Sequence, residues 1–116
     1  MRRILLTGVA GFIGSRTAQM LVESDFEVLG VDNFDPYYDL ELKRRRINRL
    51  SKSENFRFVE LNIENKAELD QLVDGISIDA IINLAARAGV RNSIRYPAEY
   101  YRTNVLGALN LLDLAV

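Results

Sequence analysis

Apolar and polar positions fall into alternating blocks along the chain, and each block has its own period. Ile4-Leu5-Leu6 is a short apolar run that stops at Thr7-Gly8, as a buried strand does. From about Phe12 to Ser24 apolar residues recur at helical spacing, which predicts a helix with Ile13, Thr17, Met20 and Leu21 on its inward stripe. A second strand is expected over Phe26 to Val31, then a polar, aromatic loop from Asn33 to Asp39 and a charged helix from about Leu40 to Leu50. Phe56-Arg57-Phe58-Val59-Glu60 alternates with period two, so a third strand is predicted, ending near Asn62. Asn65 with Glu68 three residues on has the pattern of a capping box that opens the next helix, and Gly75 closes it. Ala80-Ile81-Ile82-Asn83-Leu84 has the unbroken apolar character of a buried parallel strand.

Pro97 suits the first turn of a last helix, on which Tyr101, Val105, Ala108, Leu112 and Ala115 share one apolar face. Leu106, Leu109 and Leu114 lie outside that face, so the helix is expected to be covered on more than one side. It reaches Leu114-Ala115-Val116 without a glycine or proline stop signal, and the chain is therefore expected to be the front portion of a longer protein. Strands alternating with helices in this way predict an α/β fold with a parallel sheet.

Composition fits one soluble domain: 116 residues, 48% hydrophobic and 27% charged. Fifteen basic and sixteen acidic residues nearly cancel, so neither nucleic acid nor an anionic membrane is expected as a partner. The chain has no cysteine and no histidine, which excludes disulfides, the usual zinc ligands and any Ser-His or Cys-His nucleophile. The absence of cysteine fits a cytoplasmic setting. Arg2 and Arg3 precede an apolar run of only three residues, far short of the roughly 18 a membrane span requires.

The segment richest in chemistry is Thr7-Gly8-Val9-Ala10-Gly11-Phe12-Ile13-Gly14, which follows a strand and opens a helix. Glycine permits positive φ and close approach of backbone amides, and the helix start adds unpaired N–H groups and a positive dipole end. Together these suit a pyrophosphate. Asp32 ends the second strand, where a carboxylate accepts from the adenosine ribose hydroxyls and disfavours a 2′-phosphate, so NAD is preferred over NADP. Lys43-Arg44-Arg45-Arg46 could oppose that preference by adding positive charge, but reads first as a solvated helix face.

These residues resemble the extended short-chain dehydrogenase/reductase family, within it the NAD-dependent nucleotide-sugar epimerases and dehydratases. The glycine turn has that family's spacing. Asp32 through Asp39 with Leu42-Lys43 is similar to the loop of UDP-glucuronate and UDP-galactose 4-epimerases. Leu84 through Ile94, and Pro97 through Gly107 with Leu109 to Leu112, look most like the UDP-glucuronate 4-epimerases.

The resemblance implies a Rossmann-type doubly wound parallel sheet, of which this chain is the N-terminal portion with strand order 3-2-1-4. It implies a single NAD-binding domain over residues 1–116. Gly8, Gly11, Phe12, Ile13 and Gly14 would surround the pyrophosphate, and Asp32 with Asn33 would hold the adenosine ribose. Leu84, Ala85, Ala86 and Arg87 would line the cofactor, with Asn104 reaching toward it. Asn62 and Ile63 would sit beside the adenine, although the family usually has aspartate at Asn62. The family also often has histidine at Asn83 and glutamine at Arg87. Arg91 is the candidate contact to an anionic UDP-sugar, and Tyr37 and Tyr38 could flank the nucleotide or pack within their loop.

The family's base is a tyrosine with a lysine four residues later, and this chain has no Tyr-x-x-x-Lys, so no catalytic residue and no turnover by the chain alone are expected. An open fourth strand should favour homo-oligomers or association with a C-terminal part. Two alternatives stay open: the front half of a nucleotide-sugar 4,6-dehydratase or decarboxylase, and a stand-alone dinucleotide-binding module.

Overall fold

Strands β1 (Arg3–Thr7), β2 (Glu27–Asp32), β3 (Phe56–Glu60) and β4 (Ala80–Asn83) pair in parallel in the order β3-β2-β1-β4. This computed structural model describes residues 2–34, 40–86 and 90–116. The order and the parallel pairing are those expected from the sequence. Register aligns Leu5 with Leu29 and Ile81, and Leu6 with Gly30 and Ile82. Alternate residues therefore feed opposite faces.

Helices α1 (Phe12–Glu23) and α2 (Leu40–Leu50) cover one face over a core of Leu6, Val9, Ala18, Val28, Ile47, Leu50 and Phe56. On the other face Leu5, Leu29, Val31, Leu61 and Ile63 pack with Leu69 of α3 (Lys66–Val73) and Leu111 of the last helix. Asn65 caps α3 by accepting from the Glu68 N–H at 3.1 Å, and Gly75 at φ +73° turns the chain out of it.

Three expectations need correction. The inward stripe of α1 is Gly14 and Ala18 with half-buried Leu21 and Val22, whereas Ile13 is 66% and Met20 55% exposed. Small residues let the helix lie close to the sheet, which sorting by hydrophobicity alone passes over. Strand β4 is not buried on both faces: Ile81 and Ile82 are half-buried while Ala80 and Asn83 are exposed.

The third correction concerns the C-terminal helix. It comprises α5 (Pro97–Tyr101), a π-helical turn over Arg102–Leu106, and α6 (Gly107–Ala115). The buried line is Thr103, Gly107 and Leu111, and the expected face is outward, with Tyr101, Val105 and Leu112 exposed. A π turn inserts an extra residue into the helical register, so a stripe drawn at 3.6 residues per turn drifts off the packed side. A further short helix, α4 (Val90–Arg95), had no apolar periodicity to predict it; it ends just before Tyr96-Pro97, as the restriction on a pre-proline residue requires. Among the described residues no helix is long and apolar enough to cross a membrane.

Candidate functional site

The carboxyl ends of β1, β2 and β4 open onto a cavity of about 540 Å³. Its lining includes Gly8, Gly11, Phe12, Ile13, Gly14, Asp32, Asn33, Asn62, Ile63, Leu84, Ala85 and Ala86, the greater part of the expected cofactor set. Arg87 lies outside the described residues, as do Tyr37 and Tyr38. Arg91 is placed only by its backbone, in the first turn of α4. Asn104 is exposed, and Thr103, its neighbour on the π turn, lines the cavity instead.

The glycine turn is built by close contacts between backbones. Gly8 has φ +68°, and a Cβ there would lie 2.6 Å from the Leu84 carbonyl carbon and oxygen. A Cβ on Gly14 would lie 2.0 Å from the Gly8 oxygen. Gly11, at the start of α1, supplies no side-chain cap, and the first turn of the helix has no acidic residue. The first N–H groups of α1 thus have no side-chain cap, and Phe12, Ile13 and Gly14 of that turn line the cavity.

Asp32 does more than the sequence suggests. It is 8% exposed, and its Oδ2 accepts from the Ala10 N–H at 3.0 Å while its Oδ1 accepts from the Phe34 N–H at 2.8 Å. Each carboxylate oxygen has a second lone pair for a sugar hydroxyl. The carboxylate therefore fastens the glycine turn to the end of β2 and still borders the cavity. From the other side the Arg46 guanidinium donates to the Ala10 carbonyl at 3.1 Å and lies 5.8 Å from the Phe12 ring centre. The Ala10 residue is gripped through both its N–H and its C=O.

Arg46 and Lys43 both line the cavity, which corrects the reading of residues 43–46 as a solvated face. Lys43 is only 7% exposed. Arg44 and Arg45 do face solvent, Arg45 in an exposed pair with Glu41. The signal was present in the spacing, because Lys43 falls on one helical line with Ile47 and Leu50, the buried positions of α2. Thr7 was also missed as a side chain. Fully buried, it donates to Asn83 Oδ1 and accepts from the Leu84 and Ala85 N–H groups at 3.1 Å, so it holds the end of β4 against the turn. Asn83 Oδ1 is the acceptor for the Thr7 hydroxyl, and it also accepts from the Ala85 N–H at 3.2 Å.

A glycine turn between strand and uncapped helix, an acid at the end of the adjacent strand, and a cleft where the strand order reverses define a Rossmann-type α/β domain. The chain belongs to the NAD-dependent epimerase/dehydratase family: the model described as GDP-mannose 4,6 dehydratase matches residues 5–116. It is 50% identical over 110 residues to a UDP-glucuronate 4-epimerase of Thermodesulfobacterium geofontis, covering 95% of this chain and 34% of the relative. Among solved structures it resembles the Bacillus cereus UDP-glucuronic acid 4-epimerase in complex with UDP-glucuronic acid and NAD. That match has a TM-score of 0.85 and 35% identity, over 96% of this chain and 35% of the other. A dTDP-glucose 4,6-dehydratase from Bacillus anthracis, in complex with NAD, matches with a TM-score of 0.79 and 27% identity over 98% and 33% of the two chains. The chain thus spans about a third of the length of the curated relatives it matches.

Proposed function

We propose that residues 1–116 are the NAD-binding part of a nucleotide-sugar 4-epimerase, acting on a UDP-sugar with UDP-glucuronate first and the galactose type second. The observation that carries this reading is the uncapped start of α1 opening into a cavity that the Asp32 carboxylate also lines. Gly8, Gly11, Phe12, Ile13 and Gly14 would cradle the diphosphate, and Asp32 with Asn33 would take the adenosine ribose. Asn62 and Ile63 would meet the adenine, while Leu84, Ala85, Ala86 and Arg87 would follow the rest of the dinucleotide. Thr103 joins the set by position, Asn104 lies beside it, and Arg91 remains the candidate for the sugar's carboxylate. When bound, NAD would supply the hydride acceptor for transient oxidation at the sugar's C4. The relative named a dTDP-glucose 4,6-dehydratase keeps a dehydratase as the second reading.

Titration of the protein with NAD and NADP tests this. NAD should bind and NADP should bind at least about tenfold more weakly, a difference of about 1.4 kcal/mol from one misplaced phosphate beside a carboxylate. Preference for NADP would overturn the role of Asp32, and binding of neither would sink the whole reading.

We place the protein in the cytoplasm and expect it to self-associate or to pack against further C-terminal sequence. The half-exposed β4 and the outward Tyr101, Val105, Leu109 and Leu112 support this. Gel filtration of the 116-residue chain should show apparent mass rising with concentration. An unchanging monomer at high concentration would count against association.

A further inference from the structure

The part of the cavity lined by Leu61, Asn62 and Ile63 holds a side-chain clamp that neither the glycine motif nor the acid at β2 explains. Asn62 lines the cavity directly after β3, and Glu64 binds it twice. The Glu64 N–H donates to Asn62 Oδ1 at 2.9 Å, and Asn62 Nδ2 donates to Glu64 Oε2 at 2.8 Å. An N–H can only donate and a carboxylate can only accept, so the two bonds together fix which end of the Asn62 carboxamide is oxygen. Glu64 is held in turn by the C-terminal helix. Thr103 Oγ1 donates to its Oε1 at 3.4 Å, the Arg102 guanidinium lies 3.9 Å from the same oxygen, and Asn110 Nδ2 donates to the Glu64 carbonyl at 3.2 Å. Arg102 and Thr103 begin the π-helical turn, a local departure from α geometry often found at functional sites.

We infer that Glu64 is a positioning residue for cofactor selection: it holds the Asn62 carboxamide so that its oxygen, with one lone pair left, accepts from the 6-amino group of an adenine in the cavity. This rests on the dinucleotide-binding reading above. It also gives a physical reason for asparagine at position 62. An aspartate there would set one carboxylate oxygen against Glu64 Oε2 at hydrogen-bond distance, and two carboxylates so close cannot both stay ionised without cost. Asparagine at 62 and glutamate at 64 therefore form one unit, and each is suited to the other.

The test compares NAD with nicotinamide hypoxanthine dinucleotide, in which a carbonyl replaces the 6-amino group. The unmutated chain should prefer NAD by about five- to tenfold, the effect of one hydrogen bond. Glu64→Ala keeps the backbone N–H bond to Asn62 Oδ1 but removes the bond to Nδ2, and it should lower that ratio, mainly by weakening NAD, while Glu64→Gln, whose amide oxygen can still accept from Nδ2, should keep it. Asn62→Asp should lose the preference beside Glu64 and recover it in combination with Glu64→Gln. Equal weakening of both dinucleotides by Glu64→Ala, or an unchanged ratio, would overturn the inference, because that is what a merely structural residue would do.

The Asn62 side-chain amide resonances provide a readout that needs no cofactor. Glu64→Ala should shift them upfield and speed their exchange, and unmoved resonances would refute the clamp. If the unmutated chain binds neither dinucleotide, the dinucleotide reading falls and the adenine role with it, while the resonances still report on the Glu64–Asn62 pair.

Discussion

Replacing Gly14 by alanine will destabilise the chain by about 3 kcal/mol or more and abolish dinucleotide binding. The added methyl would stand 2.0 Å from the Gly8 oxygen, 2.8 Å from its carbonyl carbon and 3.1 Å from Val9 Cα. All three are backbone atoms, so no side chain can rotate aside. The turn has no room to retreat either, because Gly8 is itself pressed to within 2.6 Å of the Leu84 carbonyl at the Cβ position. Helix α1 must lift off the sheet instead, and buried Ala18 goes with it. In urea, where m is about 1–1.5 kcal/mol/M for a chain of this size, the midpoint should fall by roughly 2–3 M. A midpoint within a few tenths of the original would show that the contact between turn and helix is not as close as described.

Substitution of Asp32 by asparagine should damage both the fold and its selectivity. The carboxylate accepts from two backbone N–H groups, those of Ala10 and Phe34, from a position 8% exposed. Asparagine has only one acceptor oxygen and would turn an NH₂ toward the other donor. Losing one charge-assisted bond and stranding its donor should cost about 2–3 kcal/mol of stability. NAD affinity should fall by about 10- to 100-fold, and the margin over NADP should shrink toward one, since the repelling charge is gone. Unfolding curves and paired titrations on the same variant separate the two effects. Unaltered stability would contradict the tie to the glycine turn, and an intact margin would remove Asp32 from cofactor choice.

The strands and the glycine turn were legible because each rests on short-range rules, whereas the strand order was legible only through the family that the motifs resemble. Period-two alternation gave β3, and Asp32 stood where the end of a second strand had to be. What stayed hidden depended on geometry between elements. Ile13 and Met20 are apolar yet face outward, because the tight approach of α1 selects Gly14 and Ala18 for contact. The π turn over Arg102–Leu106 shifts the packed line to Thr103, Gly107 and Leu111, and no residue type in that stretch announces it. Lys43 and Arg46 read as solvent-facing by charge, although the stripe they share with Ile47 and Leu50 pointed inward. Thr7 looked like a strand terminus, and its three partners are known only once β4 is set beside β1. Glu64 was invisible for the same reason, since its partners come from loop and distant helix together.

The double grip on Ala10, by Asp32 at its amide and Arg46 at its carbonyl, has a thermodynamic corollary. A loop already held on folding loses less ordering entropy when a guest arrives, and a guest that binds only the folded state raises that state's population. Heating or denaturant should then be resisted in proportion to the logarithm of guest concentration. Remote mutations that loosen this scaffold will register as weaker apparent affinity without touching a single atom of the pocket.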